Sequence, residues 1–353
     1  MSSSIKFGGR FKAKAKTDTA RKPFNRPKAI KIGKRVLTHV VRYSLIICLS
    51  YMLLYPILRM FSLAITHPYV LSTVGTIWVP SMMSFDNFRT AWAVMQFWPH
   101  FITTFTHVTL IMILATFNAA LAGYAFAKLR FKGMNILFFL ALLTFIIPTR
   151  ALMLPQFVLF RNFDVFGIIA LIRGEPLNLL GSPAAMFMMA GMGMGIAGGL
   201  FIYIFRQFFR GLPKELEEAA YVDGAGVLRT FFTIVLPMAK PAFMTVGTLS
   251  FIWTYNDNHF PSLFNPHGQY LRSRLATIGR LDTGTTPLQL SIAMARTAGT
   301  LSPDVTTLPH PNLAFDAAIV TVATLITMAP LIILFLIIQR QFVQGVERSG
   351  IVG

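Results

Sequence analysis

Six stretches of this chain, residues 41–65, 101–126, 136–160, 184–205, 242–264 and 313–338, are each apolar over the length that an α-helix needs to cross a bilayer. That length is about 20 residues at a rise of 1.5 Å each. With no water in the hydrocarbon, every backbone amide must be satisfied inside the chain, and runs without a two-residue alternation do this as helices. The expected fold is therefore all-α: a polytopic membrane protein with six transmembrane helices. Composition agrees, since 54% of the 353 residues are hydrophobic and only 13% are charged. A mean hydropathy of +0.61 is more apolar surface than one soluble core can bury. Cys48 is the single cysteine, which excludes an intrachain disulfide, a paired-cysteine redox centre and a multi-cysteine zinc site.

The net charge of +19 is concentrated rather than spread, because 12 of the 32 Lys and Arg lie within the first 40 residues, opposed only by Asp18. An arm of this kind beside a membrane span reads as an orientation signal that touches anionic lipid, not as a nucleic-acid-binding surface. We expect residues 1–40 to form a disordered cytoplasmic tail and 41–353 the membrane domain. Six spans put both termini on one side. With the termini inside, the cytoplasmic segments hold 23 Lys and Arg and every lysine, against seven arginines in the outer segments 66–100, 161–183 and 265–312. In the first outer segment, Ser84 precedes Phe85, Phe88, Ala91, Trp92 and Met95, whose spacing predicts a short helix lying on the membrane surface.

The inner segment 211–240 carries the most information. Pro213 suits a first helical turn, and Glu215, Glu217 and Glu218 follow where a helix dipole favours carboxylates. Gly224 or Gly226 can stop that helix in a left-handed turn before a second short helix. Ala219 and Ala220 are small enough to admit another protein's surface. The spaced pattern of Glu217, Glu218, Ala219, Ala220, Asp223, Gly224, Ala225, Ile234, Leu236 and Pro237 resembles the EAA loop of ABC importer permeases. Residues 122–133, Ile147-Pro148 with Pro155, and 339–345 are similar to further segments of the sugar-type permeases, in particular the smaller permease of maltose and multiple-sugar systems.

That resemblance implies a type I importer permease subunit in the bacterial inner membrane. It implies a second homologous permease, two ABC ATPase subunits and an extracytoplasmic solute-binding protein as partners. Segment 211–240 becomes the coupling loop. ATP and magnesium belong to the ATPase, and this chain has no Gly-x-x-x-x-Gly-Lys-Ser/Thr run of its own. Sugars or oligosaccharides are the implied cargo; a peptide or amino-acid importer, or a channel without an ATPase, is the alternative. A membrane hydrolase would need Gly-x-Ser-x-Gly or His-Glu-x-x-His, and neither occurs. The seven histidines are scattered and read as interfacial or loop residues, with no metal set among them.

Two further patterns leave alternatives open. Gly191, Gly195 and Gly199 recur every four residues among Met186, Met188, Met189, Met192 and Met194. On one helix this is a small-residue face, either for internal packing or for a pliable seam against the partner permease. Trp253, Tyr255, Asn256 and Asp257 form a polar and aromatic end to the fifth window, either a substrate pathway or an interfacial belt.

Overall fold

The computed structural model describes residues 26–67, 70, 79–278 and 313–350, with side chains over 34–67, 70, 79–278 and 317–340. The basic arm up to residue 25, the last outer segment beyond 278 and the side chains of 341–345 lie outside these residues. The described elements are helical, with two isolated bridge pairs, Thr66–Met83 and Phe163–Leu177.

The chain divides into two compact units, Met1–Leu58 and Arg59–Gly353. Helix α1 is Arg26–Ala64, so it takes in residues 26–40, which the composition had assigned to the disordered tail. In the first unit the side chains of residues 34–58 are exposed, with Tyr55 half-buried. A helix so apolar and so uncovered has the surface that lipid requires.

In the second unit, α2 (Asp86–Met95) runs directly into α3 (Phe97–Lys128), with Gln96 at φ +48° making the turn. Helix α2 has two faces, with Arg89 and Trp92 exposed on one. It buries Asn87, Thr90, Ala91, Val94 and Met95 against α3 and the last helix, α15 (Leu313–Gly350). The Asn87 amide explains the burial, since it donates to the Thr66 carbonyl at 2.6 Å and also reaches those of Leu63 and Ala64 where α1 ends. Spacing alone marked the apolar face of α2 but could not show that a polar residue on the same face has carbonyls to bond.

Three of the six windows are single helices and three are broken. Among the described residues three helices are long and apolar enough to cross a membrane, Lys34–Ala64, Phe97–Lys128 and Ala317–Arg340, and up to five spans result if each of two bent pairs counts as one. The third window is α4 (Met134–Ile146), a 3-10 turn (Thr149–Leu152) and α5 (Met153–Arg161), bent by 102° where Pro148 cannot continue the helix. After α6 (Ile168–Arg173), the fourth window is α7 (Ala184–Gly191) and α8 (Gly198–Arg210). Gly193 at φ +74° and Ala197 at φ +55° separate them. The third window thus breaks at the proline that marks the family's third span, the fourth and fifth break as well, and the glycine stripe is corrected, because Gly191, Gly195 and Gly199 do not share one helix face.

Gly199 has a different use. A Cβ built there would lie 2.2 Å from the Ala141 carbonyl oxygen of α4, and one at Gly123 of α3 would lie 2.6 Å from Phe205 Cβ of α8. Helix α8 is thus in backbone contact with a neighbour on each side. Around it Phe201, Phe205 and Phe209 are buried with Ala120, Tyr124, Phe231 and Val246. Gly199→Val is expected to destabilise the folded protein by about 1–3 kcal/mol through overpacking, whereas Gly191→Val is tolerated because its Cβ would meet nothing within 4 Å. Thermal unfolding of the two purified variants in detergent checks this.

Candidate functional site

Segment 211–240 folds as two short helices, α9 (Glu215–Val222) and α10 (Val227–Thr230), followed by a π turn (Phe231–Val235) and α11 (Leu236–Met238). Lys214 opens α9, its carbonyl accepting the N–H groups of Glu217 and Glu218 at 3.0 Å each. Three carboxylates in the first turn meet the positive end of the helix dipole. Of the two glycines able to stop α9, Gly224 does so, at φ +78°; its N–H reaches the Tyr221 carbonyl and that of Ala225 reaches Ala220. Gly226 is extended and precedes α10.

The helix has a rooted face and a free one. Glu217 and Ala220 are buried, and Glu217 Oε1 lies 2.8 Å from Lys128 Nζ at the end of α3, both side chains being 11% exposed. Lys128 also donates to the Leu212 carbonyl. Nearby, Arg206 of α8 donates to the Phe126 carbonyl of α3 and places its guanidinium 4.0 Å from the Phe138 ring of α4. The free face carries Glu218, Ala219 and Asp223, and beside them Val222 and Leu228, 87% and 70% exposed. Ala219 and Ala220 therefore do different things, one facing outward and one packing inward. Ile234 and Leu236 are half-buried and Pro237 is exposed beyond α10. The ion pair is not legible in the sequence, where Lys128 and Glu217 are far apart; only the fold brings them together.

The four residues at the end of the fifth window do not form one site: Tyr255 and Asp257 line one cavity and Trp253 another. Helix α12 (Lys240–Asn256) is followed at once by α13 (His259–Phe264). Tyr255 is buried and its hydroxyl donates to the Thr327 carbonyl of α15 at 2.9 Å. Asn256 is exposed and its amide donates back to the Ile252 carbonyl. The Asp257 carboxylate accepts the N–H groups of His259 and Phe260, the first two of α13. Trp253 alone faces an open cavity of about 420 Å³, with its ring stacked on Phe201 at 5.7 Å.

Sequence reasoning missed four polar side chains inside the helices. Asn118 of α3 donates to the Gly191 carbonyl at 2.6 Å, where α7 ends. His100 and His107 of α3 are buried, which corrects the expectation that the histidines are interfacial. His107 lies between Phe187 and Tyr270 beside a cavity of about 40 Å³, room for about one water, which Thr104, Tyr255, Asp257 and Arg272 also line. Gln156 of α5 is 6% exposed and lines the larger cavity. A polar residue within an apolar window was the available signal for His107, Asn118 and Gln156, whereas His100 precedes its window.

Residues 119–348 match the family described as binding-protein-dependent transport system inner membrane component. The chain is 27% identical over 281 residues to the arabinooligosaccharides transport system permease protein AraQ of Halalkalibacterium halodurans, covering 79% of this chain and 84% of that one. It is 27% identical over 278 residues to the melibiose/raffinose/stachyose import permease protein MelC of Bacillus subtilis, covering 78% and 84%. Its fold is similar to a chain in the crystal structure of a bacterial ABC transporter involved in the import of the acidic polysaccharide alginate, with a TM-score of 0.64 at 19% identity, over 88% of this chain and 98% of that one.

The buried pair yields a prediction. Removing one partner leaves the other charge stranded, so Lys128→Met and Glu217→Gln should each destabilise the protein by about 3 kcal/mol. The double variant should cost clearly less than the two together, as a thermal-unfolding double-mutant cycle would reveal.

Proposed function

Because this chain belongs to the family of binding-protein-dependent transport system inner membrane components, we propose that it is the permease subunit of an ATP-driven importer of sugars or oligosaccharides. The observation that carries this reading is α9, a short acidic-ended helix with an exposed apolar flank and a root ion-paired to α3. Such a helix suits docking into a groove of a separate ATPase, with Val222 and Leu228 supplying apolar contact and the ion pair passing displacement to the spans. The saccharide class rests on the named substrates of AraQ and MelC.

The complete machine then contains a second homologous permease, two ATPase subunits that bind ATP and magnesium, and an extracytoplasmic solute-binding protein. It sits in the bacterial inner membrane with both termini of this chain in the cytoplasm and lipid around the helices; nucleic acid has no part in it. Closure of the ATPase dimer draws the docked helices together and turns the pathway outward, and hydrolysis resets it, an alternation between two states that ATP biases. This chain transports and leaves hydrolysis to its partner.

Reconstitution of this chain with its partners in proteoliposomes should give ATP-dependent uptake of at least one of raffinose, stachyose and arabinotriose. Uptake of trialanine or glutamine alone would sink the saccharide reading. Glu218→Arg sets a cation at a positive helix end, and Gly224→Val forces a branched residue into a left-handed turn at about 1–2 kcal/mol. Each should cut uptake at least tenfold at unchanged membrane abundance, while Gly224→Asn, which tolerates that turn, keeps most of it.

A further inference from the structure

The cavity beside Trp253 lies where three helix breaks converge: between α4 and α5, between α7 and α8, and between α12 and α13. Ile147, Thr149 and Leu152 line it from the first break, residues 193–197 from the second, and Trp253 and Phe260 from either side of the third. A broken span is tolerated in a bilayer where its backbone is buried in protein or opens on a polar cavity, and discontinuous helices mark solute sites in other transporter folds. Its volume of about 420 Å³ falls within the range of small-molecule sites, roughly 300–1,000 Å³.

The lining selects the chemistry of an occupant. Among the described residues none that lines the cavity is charged, which disfavours an anionic or zwitterionic solute. Trp253 offers a flat apolar face held by its stacking on Phe201. Gln156 is more than nine-tenths buried, and its Oε1 has no hydrogen-bond partner among the described residues. The terminal torsion of a glutamine is broad, so a small rotation presents the amide to the cavity as both donor and acceptor. An apolar occupant, such as a lipid tail, would leave that amide unmatched, at a cost a polyol avoids. Thr149 adds a hydroxyl to the lining.

We infer that this cavity is a subsite for one neutral sugar ring of the transported oligosaccharide, with Trp253 stacked on the ring's apolar face and Gln156 hydrogen-bonded to its hydroxyls. The inference rests on the saccharide-importer reading and moves the solute contacts of this chain away from Asn256 and Asp257. Those two are committed to the backbone, whereas Gln156 is not.

The test uses the complete transporter purified in detergent and freed of its solute-binding protein, dialysed to equilibrium against radiolabelled raffinose, stachyose, arabinotriose and trigalacturonate. The unsubstituted complex should retain a neutral oligosaccharide that it also imports. Gln156→Leu should weaken retention at least fivefold and Trp253→Ala at least tenfold, with Trp253→Phe between Trp253→Ala and the unsubstituted protein. Gln156→Leu keeps the decision open if Trp253→Ala fails to assemble, because exchanging an unmatched buried amide for a similar-sized apolar group does not harm folding. Unchanged retention by an assembled Gln156→Leu complex, as a lipid-filled cavity would give, overturns the subsite. Retention of trigalacturonate in preference, or of no sugar despite uptake of a neutral one, also overturns it. Failure to import any oligosaccharide removes the saccharide reading itself, which separates that outcome from the loss of the subsite alone.

Discussion

A peptide group within hydrocarbon has no water to bond, so a spanning helix can be interrupted only where protein groups or a cavity meet the exposed backbone. The whole of this structure follows from how that requirement is met. Helix α3 is unbroken from Phe97 to Lys128 and serves as the post against which broken elements are set. Its Asn118 meets the carbonyl at the end of α7, and its Gly123 lets α8 approach backbone to backbone. Asp257 meets the amides that open α13. The breaks near 147–149 and 193–197 open instead on the cavity beside Trp253.

The same post also holds α9 in place. Lys128, its last residue, holds Glu217 of α9 in a buried ion pair. Pairs of this kind add little net stability, but they fix register, because any other placement strands a charge. Here the registered element is a helix whose outer face is exposed and partly apolar. Helix α3 in turn packs against α7, α8 and α12, and Trp253 of α12 lines the cavity.

Much of this was legible in the sequence and some was not, for physical reasons. The two short helices of segment 211–240 and the glycine stop of the first depend on local dipole and backbone preferences, so Glu215, Glu217, Glu218 and Gly224 announced them. Long apolar windows announced α1, α3 and α15, because length and hydropathy suffice there. Pro148 marked the break in the third span, but those in the fourth and fifth were hidden because hydropathy averages across a break. Residues 184–205 are apolar throughout, yet Gly193 and Ala197 take left-handed conformations that divide them. Partnerships between distant residues were also hidden. Nothing local pairs Lys128 with Glu217, or assigns Tyr255 to the Thr327 carbonyl rather than to a solute.

The central claim is that the outer face of α9 lies in the cytoplasm against an ATPase. It is tested most directly by placing a cysteine at Val222 in a Cys48→Ser background and measuring its reaction with a membrane-impermeant maleimide. In inside-out vesicles the thiol should be protected when the ATPase is bound and become reactive once the ATPase is stripped away. Labelling from the outer side of intact spheroplasts, or equal labelling with and without the ATPase, would contradict it.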